Sequence, residues 1–231
     1  MSTIMIAHRG RSGFFPGNTA LAFKKAAEYG SGGAETDIRR TADGVYVTCH
    51  DAEAVFADGS RAAVAQTSFA DLTAKPLRNG RTDDDVRLCT FREYLRIMRE
   101  NGMICFIELK GEFTEDEVKE IFALAAEEYA LEKCILQSFS FENLIRARQL
   151  FPDLPLMWTY GTGESHWERC FEYGFSIDAD RVVLTEEMIR AFHDRGLEVG
   201  VWTVNDREEL MKFRDLGVDY IESDVFGGDD L

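Results

Sequence analysis

Short apolar runs alternate along the chain with longer stretches in which apolar residues recur every three to four positions. The first pattern suits strands buried on both faces, the second amphipathic helices. The runs predict strands at 4–7, 34–38, 103–109, 134–139, 154–160, 182–184, 198–204 and 218–222. The periodic stretches predict helices over 90–100, 114–128, 141–150, 164–173, 186–195 and 206–216. A further helix is predicted up to Tyr29, with Asn18-Thr19 as its cap and Gly30 beyond its end. Strands separated by helices form a parallel sheet, and eight such units closing on themselves form an α/β (β/α)8 barrel. An open doubly wound sheet is the alternative, but no GxGxxG follows the first strand.

One connection breaks the alternation. Thr41-Ala42-Asp43-Gly44 precedes the β-prone run Val45 to His50, and Asp-Gly between two such runs signals a tight hairpin. A turn centred between Asp43 and Gly44 predicts that position 37 faces position 50. Residues from about 51 to 88 are polar, alanine-rich and irregular. They predict an insertion over the barrel mouth with one short helix near 68–73, within a single domain spanning residues 1–231.

Composition narrows the function. The formal charge of −16 repels phosphate backbones and anionic bilayers, which argues against nucleic acid or stable membrane anchoring. A phosphate ligand would need a local cation. Cys49, Cys89, Cys105, Cys134 and Cys170 are scattered without a CxxC spacing and read as reduced thiols. No signal-like N-terminus and no apolar run near the ~20 residues of a membrane span are present, so a cytoplasmic location is expected. A homo-oligomer stays open.

Polar residues at the carboxyl ends of barrel strands face the active-site rim. His8 and Arg9 end the first strand. Glu35 and Asp37, two apart, share one face of the second, and Glu108 and Lys110 share one face of the third. The hairpin returns His50 and Asp51; Trp202 to Asn205 end the seventh strand, and Glu222 and Asp224 the eighth. Any one such pair is ordinarily a salt-bridged strand edge, and Trp202 by default a core aromatic. Their convergence on one rim is the signal. Three carboxylates, Glu35, Asp37 and Glu108, cannot share a site ionised without a counter-cation, and oxygen-only ligation favours Mg²⁺, Ca²⁺ or Mn²⁺ over zinc. Arg9 and Lys110 suit an anion. His8 and His50 titrate near neutrality and could serve as general acid and base.

These residues resemble the glycerophosphodiester phosphodiesterase family. His8-Arg9-Gly10 matches its HRG, and Asn18 to Phe23 the end of its PENTxxAF segment. Gly33 to Ile38 with Thr41 to Gly44, His50-Asp51, Ile107 to Lys110, Ser138-Phe139, Trp202 to Asn205 and Gly217 to Asp224 follow in the family's order. The resemblance implies a TIM barrel with a small insertion after the His-Asp pair. It implies a divalent cation on Glu35, Asp37 and Glu108, acid–base work by His8 and His50, and substrate binding by Arg9, Lys110 and Trp202. The implied reaction is hydrolysis of glycerophosphodiesters to glycerol 3-phosphate and an alcohol, through a cyclic phosphate that water opens.

Several positions depart from the family pattern. Gly17 stands where the family has the Glu of PENT, Ala34 precedes Glu35, Cys89 replaces a loop proline, and Ser223 replaces a threonine. The loss at Gly17 keeps a non-catalytic barrel binding a phosphorylated ligand in view. A lysophospholipase D-type activity is the other alternative. It needs an apolar groove near the insertion, where Phe56 and Phe69 are the only large apolar candidates.

Overall fold

The structure, a computed structural model, describes residues 3–231. Strand β1 (Ile4–Ala7) runs into a turn at Gly10 and on to helix α1 (Ala20–Glu28). Gly10 has φ +74°, and a Cβ there would lie 2.7 Å from the carbonyl carbon of Ala22, so only glycine packs this turn against the helix. The Thr19 hydroxyl caps α1 by accepting from Ala22 N. Asn18 takes no part in the cap, and its side chain turns to the barrel mouth instead.

Next come β2 (Gly33–Arg40) and the antiparallel β3 (Tyr46–Thr48). The insertion follows, with a hairpin of β4 (Glu53–Val55) and β5 (Arg61–Ala63) and the helix α2 (Phe69–Thr73) capped by Ser68. The chain returns through β6 (Cys89–Thr90), α3 (Phe91–Asn101), β7 (Ile104–Leu109), α4 (Glu115–Glu128), β8 (Cys134–Ser138) and α5 (Phe141–Leu150). It ends with β9 (Leu156–Tyr160), α6 (Cys170–Tyr173), β10 (Ser176–Asp180), α7 (Glu186–His193), β11 (Val199–Trp202), α8 (Arg207–Asp215) and β12 (Tyr220–Ser223). The parallel order β1-β2-β7-β8-β9-β10-β11-β12 closes through the β12–β1 pairing, giving an eight-stranded barrel.

Helix α3 shows how the outer layer is specified. Thr90 caps it by accepting from Glu93 N, and Gly102 ends it in the left-handed region. Phe91, Tyr94, Leu95, Ile97 and Met98 between them are buried against the barrel. Inside the barrel, Ile6, Phe106, Ile135, Met157 and Tyr220 form an apolar plug, with the Phe106 and Tyr220 rings edge to face at 4.9 Å. Burying each such side chain stabilises the fold by about 2 kcal/mol. Side chains alternate along a strand, so the next inward position lies two residues on. Those positions are His8, Glu108, Gln137, Thr159 and Glu222, all of which line the barrel throat above the plug.

Three expectations are corrected. The sixth barrel strand is Ser176–Asp180, and 182–184 is a turn. Asp178 points into the barrel and interrupts the apolar run by which a strand is recognised. The 164–173 helix shrinks to a 3-10 turn, Trp167–Arg169, followed by the short α6. The hairpin pairs Ile38 with Thr48 and Arg40 with Tyr46, so Asp37 faces Cys49, whose N donates to the Asp37 carbonyl at 2.8 Å. The connection carries an extra residue, with Gly44 at φ +85°, as in a three-residue loop that ends in a left-handed glycine. His50 thus stands just beyond the ladder.

Candidate active site

Glu35 and Asp37 rise from β2 and Glu108 from β7, where Asp37 and Glu108 are register partners. One carboxylate oxygen from each lies within 4.8 Å of the others, and all three side chains are buried. Glu35 Oε1 has no hydrogen-bond partner, while its Oε2 accepts from Arg9 N at 2.9 Å. Burial, aided by Asp37 and Glu222, pushes the Glu35 carboxyl well above its ordinary value. Burial also pushes Glu108 up to about 7, although Lys110 Nζ stands 2.6 Å from its Oε1. Burial would raise Asp37 too, but Lys110 Nζ at 3.0 Å, Arg9 Nε at 3.4 Å and the Asn18 amide at 2.6 Å hold it low. A set of buried oxygens, one from each acid without a hydrogen-bond partner, with too few fixed cations around it fits a hard divalent ion.

Arg9 and Asn18 flank this set in the left-handed backbone region, at φ 54° and 58°. Asn tolerates that conformation; Arg rarely does, and the bond from Arg9 N to Glu35 holds it there. Asn18 Oδ1 accepts from the Thr36 hydroxyl at 2.9 Å and Asp37 N at 3.2 Å, which fixes the amide that clamps Asp37.

His8 Nδ1 lies 2.7 Å from Asp224 Oδ1, and His50 Nδ1 lies 2.8 Å from Asp51 Oδ1. Burial would raise Asp224, but its bonds from His8, Ser12 and Asn205 hold it far below the carboxylate range, hence ionised. An ionised carboxylate only accepts, so His8 Nδ1 carries the proton and Nε2 is left for chemistry. Burial lowers His50, the Asp51 contact opposing it. Arg39 donates two bonds, at 3.0 and 2.6 Å, to the His50 carbonyl and anchors that residue.

His8, Arg9 and His50 line two adjoining cavities. The throat, about 100 Å³, also carries Glu108, Lys110, Phe139 and Trp202. Trp202 Nε1 donates to the Asp178 carbonyl at 3.0 Å, and its ring meets Phe139 edge to face at 5.7 Å. The outer cavity, about 470 Å³, runs beneath the insertion.

All eight residues singled out from the sequence therefore meet at one mouth. Asp224 was placed on the rim by the sequence but given no role, and three others were not singled out: Asn18, read as a helix cap, and Gln137 and Asp178. Gln137 Nε2 donates to Asp178 at 2.8 Å and to Glu222 at 2.9 Å, tying two buried acids whose carboxyls burial pushes well up. The signal for Gln137 was present, two residues after the plug residue Ile135.

A closed α/β barrel with carboxylates, fixed cations and imidazoles at the carboxyl ends of its strands is the architecture of a barrel enzyme. The profile described as the Glycerophosphoryl diester phosphodiesterase family matches residues 8–227, and the chain belongs to that family. A glycerophosphodiester phosphodiesterase of Caldanaerobacter subterraneus subsp. tengcongensis is 28% identical over 97% of this chain and 95% of its own. An Oleispira antarctica phosphodiesterase, solved with the product sn-glycerol-3-phosphate, superposes with a TM-score of 0.84 at 22% identity over 96% of this chain and 93% of that one. A Parabacteroides distasonis glycerophosphodiester phosphodiesterase has a TM-score of 0.81 at 23% identity over 96% and 93%. At such identities the structures speak to the fold.

Proposed function

We propose that this protein hydrolyses glycerophosphodiesters to glycerol 3-phosphate and an alcohol, with a divalent cation on Glu35, Asp37 and Glu108. The observation that carries this reading is the placement of His8, Arg9 and His50 at the junction of two cavities, directly above the acid triad. One cavity can hold glycerol and the other the alcohol, leaving phosphorus between the imidazoles. Relatives named for this activity, and the product bound to the Oleispira protein, support the same substrate.

The bound cation supplies Lewis-acid polarisation of phosphate and hydroxyl oxygens. Arg9 and Lys110 add fixed charge for the non-bridging phosphate oxygens. His50, whose affinity for a proton burial lowers against the opposing pull of Asp51, accepts the proton of the attacking glycerol hydroxyl. His8, entering the step as the imidazolium with its Nδ1–H held by Asp224, gives its Nε2 proton to the departing alkoxide. The cyclic phosphate then opens as the two imidazoles exchange roles, one activating water and the other reprotonating the glycerol oxygen. The aromatic pair Trp202 and Phe139 shapes the throat. Phe56 is buried in the insertion's own small core and Phe69 packs against it, which favours deacylated substrates over lysolipids.

The test is release of glycerol 3-phosphate from glycerophosphoglycerol and glycerophosphocholine with Mg²⁺, Ca²⁺ or Mn²⁺. EDTA and His50→Ala are expected to abolish it. No product with any of the three cations overturns the reading, and full activity of His50→Ala removes that residue's role. Among the described residues no helix is long and apolar enough to cross a membrane.

A further inference from the structure

The outer cavity holds about 470 Å³ and opens from His8, Arg9 and His50 towards the insertion. Arg78 and Arg81 stand on its insertion wall. Three carboxylates also line it, and each is turned to a group other than Arg78 or Arg81. Asp224 meets His8 Nδ1 at 2.7 Å, Asp51 meets His50 Nδ1 at 2.8 Å, and Glu53 meets Arg61 at 3.4 Å. Arg9 faces Asp37 at 3.4 Å. Among the described residues, Arg78 and Arg81 pair with no carboxylate; Arg81 Nη1 donates to the Gly13 carbonyl instead. The nearby acidic run does not neutralise them, because Asp83, Asp84 and Asp85 lie outside the lining and Asp85 is taken by Arg87 at 2.7 Å.

Gly17 lines the same cavity and brings no charge to it; a Cβ there would lie 3.1 Å from Ser12 Cβ and 3.2 Å from Arg9 Cβ, so the backbone as it stands leaves little room for a side chain at this position. In a chain of net charge −16, two exposed guanidinium groups on the cavity wall, neither paired with a carboxylate, offer donors to an anion. Guanidinium forks match carboxylate and phosphate oxygens. A quaternary ammonium would instead call for aromatic faces, and no Phe, Tyr or Trp lines this cavity among the described residues.

We propose that the outer cavity takes the alcohol half of the diester, and that Arg78 and Arg81 select alcohols bearing a second negative charge, a carboxylate or a phosphate. This inference rests on the reading of the site as a glycerophosphodiesterase.

The test compares kcat/KM of the cation-loaded protein on four diesters: glycerophosphocholine, glycerophosphoglycerol, its terminal phosphate ester, and the diester of glycerate. Both anionic alcohols, or one of them, are expected to exceed the neutral diester by about tenfold, with choline slowest. The two anionic arms separate phosphate from carboxylate as the recognised group. Arg78→Gln and Arg81→Gln are each expected to shrink the anionic-to-neutral ratio several-fold, while Arg78→Lys retains part of it. Raising ionic strength from about 0.05 M to about 0.5 M is expected to narrow the ratio, since exposed charges are screened. Equal rates on neutral and anionic diesters, or variants that slow all four alike, overturn the inference and leave the activity standing. Cleavage of none of the four overturns the reading of the site as well.

Discussion

His8 Nδ1 donates to Asp224 Oδ1 at 2.7 Å, joining the end of β1 to the end of β12 across the seam where the barrel closes. Asp224 is ionised, so it both sets the imidazole tautomer and stabilises the positive charge on His8 while it holds a proton. Asp224→Asn keeps the shape but can present a donor to Nδ1, which pulls the proton to Nε2. We expect kcat to fall by roughly 10²-fold with KM little changed, and circular dichroism to match the parent. A variant as active as the parent would show that His8 needs no orienting partner.

Lys110 stands between Asp37 Oδ1 at 3.0 Å and Glu108 Oε1 at 2.6 Å. Lys110→Met leaves two buried carboxylates facing each other. In EDTA the loss is expected to reach about 3 kcal/mol, the usual scale for stripping one partner from a buried charge set. A divalent cation should restore part of it by supplying the missing positive charge. Urea unfolding with EDTA and with Mn²⁺ measures both, and equal losses in the two conditions count against a cation in this cluster.

Asn18 touches Asp37 directly and is held by Thr36. Asn18→Ala frees the carboxylate it clamps. Cation affinity, read as the concentration giving half the full thermal shift, should weaken by about tenfold. No change would mean that Lys110 and Arg9 hold Asp37 unaided.

Stability of the chelated protein should depend on pH in a defined direction. Burial raises Glu108 from its ordinary 4.5 to about 7, and raises Glu35, Asp178 and Glu222 in the same sense. Between about 4.5 and about 7 the folded state therefore keeps protons that the unfolded chain has lost, and stability falls as pH rises through that window. Asp37 and Asp224, held low, work oppositely but only below the ordinary 3.8. His50, held low from 6.5, opposes the trend below that value, as one half-exposed group against four buried acids. Tm in EDTA is expected to be lower at pH 7.5 than at pH 5. Saturating cation should flatten or reverse this, because the ligands bind it deprotonated. A Tm that rises with pH in EDTA would show that these acids are ionised without a cation.

Much of the fold could be read from periodicity, because a parallel barrel strand buried on both faces announces itself as an apolar run. The strands that could be read were those whose inward residues are apolar until the last position, such as Ile104 to Leu109 ending in Glu108 and Lys110. The strand that escaped, Ser176–Asp180, points Asp178 inward in mid-strand and so looks like a loop. The hairpin was visible in Asp43-Gly44, but its register hung on one extra loop residue, which local chemistry leaves open.

The sequence by itself determined which residue types stand at the strand ends and which share a face, because side chains alternate along a strand and a carboxylate two residues beyond a phenylalanine points the same way. That rule alone places Glu108 above Phe106 and Gln137 above Ile135. Only the tertiary structure decided which of those groups touch. Barrel closure sets Asp224 against His8, more than two hundred residues apart. The turn before α1 carries Asn18 onto Asp37, and the insertion folds Arg78 and Arg81 over the mouth. Such contacts depend on strand stagger and loop paths, which depend on the whole packed molecule and leave no periodic trace in the chain.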